Sequence, residues 1–413
     1  MPLSEGVSTR IAYKAYASGV INANTLDDPT TAPGASGGQT LRRVSSTLAL
    51  AKATYQSAEV RTDFQITDFR HGIAHAEGNV AGELSPSTYM DLFEAVHRDT
   101  RAAAVSLDNT GLTSVVASKA AGTFTFAGGD PVALGLKVGG IIRFGGTASL
   151  NDGANFVILS FGGTSNRTLT VTPAPLADIG TPDVTFTVVQ TGKSTIVPST
   201  GFVRRKFGFE VYHSDLNLAR LYTECRMGSY RIALPATGMS TIEFTVLGRS
   251  QYEPVSGPYF TAPAAPTVTP VLTSVQGALL RNGVKLAVIT SADLTMNLSP
   301  SEADVVGQNF PAEIFLGRAA LTGTVSSFLD SATLIDDFVN ENELSLLLYM
   351  TGSTLPAAPG MTILMPRVKL GSAAVNITGE SGQSVSFNLQ ALKYVGSQAG
   401  MPATTIQIMD TEA

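Results

Sequence analysis

Val80-Ala81-Gly82-Glu83-Leu84 and Leu321-Thr322-Gly323-Thr324-Val325 each alternate apolar with small or polar residues around a central glycine. Alternation at period two marks a β-strand with one buried face. The two stretches also share their surroundings. Ser85-Pro86-Ser87 follows the first and signals a helix start. Met90, Phe93 and Val96 then fall at helical spacing, which predicts a helix over 87–99. After the second stretch a helix is predicted over 331–340, with Phe338 opposite Phe93.

The correspondence extends outward in both directions. Leu48-Ala49-Leu50 matches Leu294-Thr295-Met296, and Ala58-Glu59-Val60 matches Ala303-Asp304-Val305. Arg231-Ile232-Ala233-Leu234 matches Arg367-Val368-Lys369-Leu370, and the strand around Phe244 matches that around Phe387. Echoes of this kind are the mark of an internal duplication. The early pairs lie about 241–246 residues apart and the late pairs about 136–143. The first copy therefore carries roughly 100 extra residues between its helix and its late strands. Residues 111–192 have a texture of their own. Short apolar runs such as Phe124-Thr125-Phe126 and Val157-Ile158-Leu159 are separated by Gly-Gly, Asn-Asp-Gly and proline turns, as in a small β-sandwich.

The expected organisation follows. Residues 1–38 form an extended N-terminal arm, and 39–110 with 193–253 form a discontinuous first copy. An inserted β-domain fills 111–192, a proline-rich linker runs over 254–270, and the second copy occupies 271–413. The fold class is mainly β, with one short helix per repeat: a sandwich or barrel unit duplicated in one chain, plus an inserted small β-sandwich. A sheet with a helix on one face leaves its other face and its edges in need of partners.

Composition narrows the function. Of 413 residues only 15% are charged and 40 are glycine, so much of the surface is Ser, Thr, Ala and Gly. Charged residues are depleted at the centre of subunit interfaces, and this composition suits an assembly. A net charge of −6 argues against gripping phosphate backbones, which takes clustered Lys and Arg. Cys225 is the one cysteine, so no internal disulfide forms and folding in the cytosol is expected. The start Met1-Pro2-Leu3-Ser4-Glu5 carries no secretory pattern, and no apolar run reaches membrane-spanning length.

Catalytic and metal chemistry finds little support. His71 and His75 are four apart, but Gly72 and Gly78 interrupt the segment and no cysteine is near. His97 with Asp99 at a helix end reads as a surface pair favoured by the helix dipole. Gly34-Ala35-Ser36-Gly37-Gly38 has the letters of a nucleophile elbow without the preceding strand. The carboxylates Asp336, Asp337, Glu341 and Glu343 read as a solvated helix face. Neither a catalytic residue, a metal ligand nor a cofactor is expected. Arg204-Arg205-Lys206 is the one basic cluster, and inter-subunit ion pairs are its expected role.

The run Ala58-Glu59-Val60-Arg61-Thr62-Asp63, the run from Asn79 to Pro86 and the helix after it resemble phage tail tube proteins. Gly135-Leu136-Lys137-Val138-Gly139 and Asn155-Phe156-Val157-Ile158-Leu159-Ser160 resemble the extra β-domain of some members. The resemblance implies a non-enzymatic virion protein of a long-tailed (siphovirus) phage, assembled in the host cytoplasm. It implies rings stacked into a tube through which DNA passes without specific binding. With a duplicated unit, three chains complete a ring of pseudo-sixfold symmetry. The implied partners are further copies of the chain and other tail proteins (tape measure, tail terminator, tail tip), with no membrane insertion. If the two opening stretches line the channel, alternation sets Asn79, Ala81, Glu83, Ala320, Thr322 and Thr324 toward it. Segments 1–38, 61–70 and 306–313 are candidates for joining successive rings. The alternative reading is a surface adhesin or virion decoration protein built of β-sandwich modules.

Overall fold

The computed structural model of the protein describes residues 3–16, 33–286, 289–329, 332–376 and 382–413. It is mainly β, and its centre is one long antiparallel sheet. In chain order the strands are β1 (Ala49–Gln56), β2 (Phe69–Glu83), β3 (Leu218–Pro235), β4 (Thr241–Gly248), β5 (Ile289–Asn297), β6 (Ala320–Phe328), β7 (Gly360–Asn376) and β8 (Ser384–Ala391). Helix α1 (Met90–His97) follows β2, and α2 (Thr333–Val339) follows β6. Hydrogen bonds order the strands β1-β2-β4-β3-β5-β6-β8-β7. Two four-stranded units of the same order thus meet edge to edge at β3 and β5.

Their ladders break at matching places. The register of β3 on β4 shifts at Gly228, and that of β7 on β8 shifts at Gly371. A second shift lies between Phe207 and Phe209 against β3, and between Leu344 and Leu346 against β7. A bulge adds a residue and bends the strand, and glycine there escapes the cost of an awkwardly placed side chain. Counting from these shared bulges, Phe244 stands where Phe387 stands, Val80 where Val325 stands, Leu48 where Leu294 stands and Phe93 where Phe338 stands.

Two sequence matches move. Val80 aligns with Val325 instead of Leu321, a slip by an even number of residues that keeps every side chain on its face. Arg231 aligns with Ala374 instead of Arg367, an odd slip that exchanges the faces. Alternating strands look alike after a shift of two or four, and only the bulges remove that ambiguity.

The N-terminal halves of β3 and β7 leave the long sheet and enter a second layer. On the first side it contains Thr9–Ala15, Phe207–His213 and Ser250–Ser256. On the other it contains Gly277–Arg281, Leu344–Thr351, Gln407–Asp410 and Lys193–Ile196. One continuous core fills the space between the layers. The 1–38 segment is therefore not wholly an arm. Ile11, Ala12 and Tyr13 are buried, because this strand covers the edge of Phe207–His213. Residues 17–32 of that segment lie outside the described residues. The proline-rich stretch overlaps Ser250–Ser256 at its start, then bridges in parallel to Ser36 and Gln39 through Thr261 and Ala264.

Helix α1 closes the first half. Phe93 packs edge-on against Tyr230 and Phe244, with ring centroids 5.1 and 5.4 Å apart. Gly82 lies under the helix start, where a Cβ would collide with the Tyr89 hydroxyl that donates to Arg42 O at 2.9 Å. His97 is not a surface residue. It is 1% exposed, with Nδ1 3.3 Å from Thr195 Oγ1 and Nε2 3.0 Å from Tyr230 Oη. Helical spacing from Phe93 turns it inward toward β3.

The extra residues form an eight-stranded antiparallel sheet from Val105–Asp108 to Thr187–Gln190, around Phe124, Phe144 and Phe156. Its core merges with Leu280, Leu347, Leu364 and Met409 of the second half. Thr362 Oγ1 donates to Gly139 O at 2.7 Å, and Asn155 Nδ2 donates to Ala358 O at 2.6 Å. The inserted sheet is thus seated on the outer layer of the half that does not carry it in sequence.

Burial holds the His97 imidazole down at about 3, so the fold keeps it neutral while the unfolded chain binds a proton below about 6.5. Stability from this group is complete above about 6.5 and is lost as pH falls toward 3. Asp410 opposes it, since burial raises its carboxyl to about 6 and the fold then binds the extra proton between about 6 and 4. Urea unfolding of the chain and of His97→Gln should therefore differ in slope between pH 6.5 and 5. The difference approaches about 1.4 kcal/mol per pH unit; parallel pH profiles would show that His97 takes up its proton in the fold.

Candidate assembly interface

The long sheet has one covered face and one open face. Val80, Leu321 and Val325 point into the core. Asn79, Ala81, Glu83, Ala320, Thr322 and Thr324 alternate with them and lie on the open face, half-buried or exposed. Short polar bonds cross this face from strand to strand. Asn79 Nδ2 donates to Glu243 Oε1 at 2.7 Å, Ser229 Oγ to Thr245 Oγ1 at 2.9 Å, and Thr324 Oγ1 to Asn388 Oδ1 at 3.1 Å. At the junction of the halves Arg231 Nε donates to both oxygens of Asp293, at 3.0 and 2.9 Å. The ionisable side chains on the same alternation include Glu77, Glu83, Glu243 and Asp293, against Arg231 and Lys369. The face is acidic on balance, and its guanidinium is already tied to a carboxylate.

The sheet ends in two open edges. Among the described residues β1 pairs on one side only, with β2. Beyond Leu370, β7 pairs on one side only, with β8. Unpaired backbone N–H and C=O groups along an edge are a template for another strand.

The two hairpin connections differ. That between β1 and β2 projects, with Val60, Phe64 and Ile66 at 102, 97 and 68% exposure. Its counterpart over 298–319 is folded onto the first half. Arg249 Nε donates to Pro311 O and Arg226 Nη1 to Ile314 O, both at 2.7 Å, and Arg98 donates to Gly317 O. Ala74 N donates to Asn309 O at 2.7 Å, and His75 Nδ1 lies 3.3 Å from Glu302.

The basic cluster is used inside the chain. Arg205 pairs with buried Glu94 at 2.7 Å, and Lys206 pairs with Glu224 at 2.9 Å and Glu313 at 3.3 Å. Glu94 and Glu224 are held out of water and need a countercharge within reach, and within one chain Arg205 and Lys206 supply it. Arg204 is exposed. Lys206 and Glu224 correspond through the shared bulges to Glu343 and Arg367, an ion pair with the signs exchanged. Glu224, Arg226 and Arg249 escaped the sequence reading. Their signal is charge inside otherwise apolar strand patterns.

Among the described residues no group of three or more His, Cys, Asp and Glu could hold a metal ion. His71 and His75 lie on strand β2, and Cys225 is buried, which pushes its thiol up. Among the same residues no helix is long and apolar enough to cross a membrane.

Two like units in one sheet, an open polar face, unpaired edges and a projecting hairpin define a structural building block. The chain belongs to the family described as phage tail tube protein, which it matches over residues 6–391. No curated relative matches it. It is thus a structural component of a virion tail.

Proposed function

We propose that the chain polymerises into the tube that conducts DNA through the tail of a long-tailed phage. The open edges support this reading most directly. Inside the chain, β3 of one unit pairs with β5 of the next, with Arg231 opposite Thr295. The equivalent strands at the two ends are β7 and β1, and both outer edges are unpaired among the described residues. Repeating the internal junction between chains sets Ala374 of one copy opposite Ala49 of the next. Edge-to-edge repetition with a constant turn closes into a ring, which removes every free edge. Three duplicated chains would give the pseudo-sixfold ring expected of such a family member. Tape measure, terminator and tip proteins would meet the finished tube at its ends and lumen.

The open face would line the channel. Its carboxylates and small hydroxyls offer no free cluster of cations, so a duplex would pass without the phosphate contacts that retain it. This assigns Asn79, Ala81, Glu83, Ala320, Thr322 and Thr324 to the lumen. The projecting tip around Phe64 would contact the next ring, because it carries the apolar side chains that a single chain leaves bare.

Three measurements test the arrangement. An Ala49→Cys/Ala374→Cys chain, oxidised after assembly, should give disulfide-linked oligomers that end at a closed trimer on a denaturing gel. Directly opposed strand residues suit a disulfide, and Ala51→Cys with Ala374→Cys should not link, so equal linkage of both pairs would overturn the register. Thr322→Cys in assembled tubes should react with a small maleimide and resist one carrying a large polymer. Equal labelling would put this face outside. Phe64→Ser should leave single rings intact while reducing tube length by electron microscopy; tubes of normal length would remove the hairpin from the ring contact.

A further inference from the structure

Arg98, Arg204, Arg205 and Arg226 line one small pocket, together with Ala95, Val203 and the Phe315-Leu316 turn of the second half. Its volume is about 60 Å³. The acids within reach are each shared between a pocket arginine and a second cation. Glu94 holds Arg205 and Arg101, and Glu313 holds Arg226 and Lys206. Among the described residues no carboxylate pairs with Arg98 or Arg204. Arg98 donates to the Gly317 carbonyl and lies over the Phe202 ring, 5.9 Å from its centroid. Two guanidinium nitrogens here, Nε of Arg205 and Nε of Arg226, are buried with no hydrogen-bond partner. The Arg226 side chain is 5% exposed. Buried donors left without an acceptor are costly, and both belong to side chains that line this pocket.

We propose that this pocket binds a small oxyanion, a phosphate or a carboxylate group. Either presents several acceptor oxygens to planar guanidinium donors, the geometry that arginine matches best. The site joins the end of α1, the 203–205 segment, β3 and the folded 298–319 connection. An anion there would tie the two halves together at a point where their own charges leave a positive excess. Burial, with Arg204 beside it, lowers the affinity of Arg98 for its proton, and burial does the same to Arg226. A bound anion would relieve both. The pocket lies within a single chain and does not depend on tube formation.

Thermal unfolding of the full chain tests it, in inorganic phosphate against chloride at matched ionic strength. The midpoint should rise saturably with phosphate and not with chloride. Arg204→Gln, at an exposed position, should weaken apparent phosphate affinity about tenfold or more, and Arg98→Gln likewise. Comparing the two salts within each variant cancels any change in basal stability. No excess stabilisation by phosphate, or an excess unchanged in both variants, would overturn the site. The same titration on assembled protein separates the sources. A phosphate effect kept after assembly means that free phosphate occupies the pocket, and one lost on assembly means that a neighbouring copy supplies a carboxylate. Both keep the oxyanion site.

Discussion

The backbone hydrogen bonds between β3 and β5 carry the architecture. A strand edge inside a folded protein must find donors and acceptors, and here each unit finds them on a copy of itself. β3 bears an unusual share of this demand. Its C-terminal half pairs with β4 and β5, and its N-terminal half pairs with Phe207–His213 and Ser250–Ser256. One strand thus belongs to both layers, and the bulge at Gly228 lies between its two roles. At this glycine a Cβ would meet the Pro300 ring and the Leu247 side chain. The bulge of the first half therefore has a packing reason as well as a backbone one, whereas at Gly371 a Cβ would meet only Asn388 O at 3.8 Å.

The two faces of the long sheet obey different rules. The covered face carries Phe244, Tyr230 and Ile232 under α1, with burial as the driving force. The open face has no such drive and is held by its strand pairing and by short cross-strand polar bonds. Antiparallel sheets tolerate this division, because alternation separates the two sets of residues. It also accounts for the composition. A face of Ser, Thr, Asn and Ala needs few charges to remain hydrated, so a low charged fraction and an intact water-facing surface coexist.

The two like strand-helix-strand units are legible in the sequence because apolar alternation and the helix signal survive divergence, and the short strands of the eight-stranded sheet are legible because their turn chemistry differs from the rest. Register is not. The Val80 match slipped along its strand, yet the face assignment survived because the slip was even, while the odd slip at Arg231 misplaced that residue. His97 has Asp99 nearby, which in sequence favours a surface pair, but the helix phase set by Phe93 turns it inward. The strand Thr9–Ala15 was hidden in a segment rich in Gly, Ala and Thr, where its partner at Phe207–His213 supplies the order. The charged group of Lys206, Glu224, Arg226, Arg249 and Glu313 could not be read as a group, since its members are distant in sequence.

That group also explains why the halves are not interchangeable. Glu343 and Arg367 form a partly exposed pair that needs no further partner. The sign-exchanged pair Lys206 and Glu224 is buried, so its desolvation must be met by additional polar contacts. Arg249 supplies one within the first half, and Glu313 supplies another from the second half. The buried version therefore works only with the 298–319 connection folded over it. The equivalent hairpin of the first half finds no such surface within its own chain and projects. The inserted sheet adds to the asymmetry by covering the outer layer of the second half alone. Fusing two units in one chain fixes which half lies beside which, and that fixed order lets one junction carry buried charge while the outer edges keep to backbone pairing.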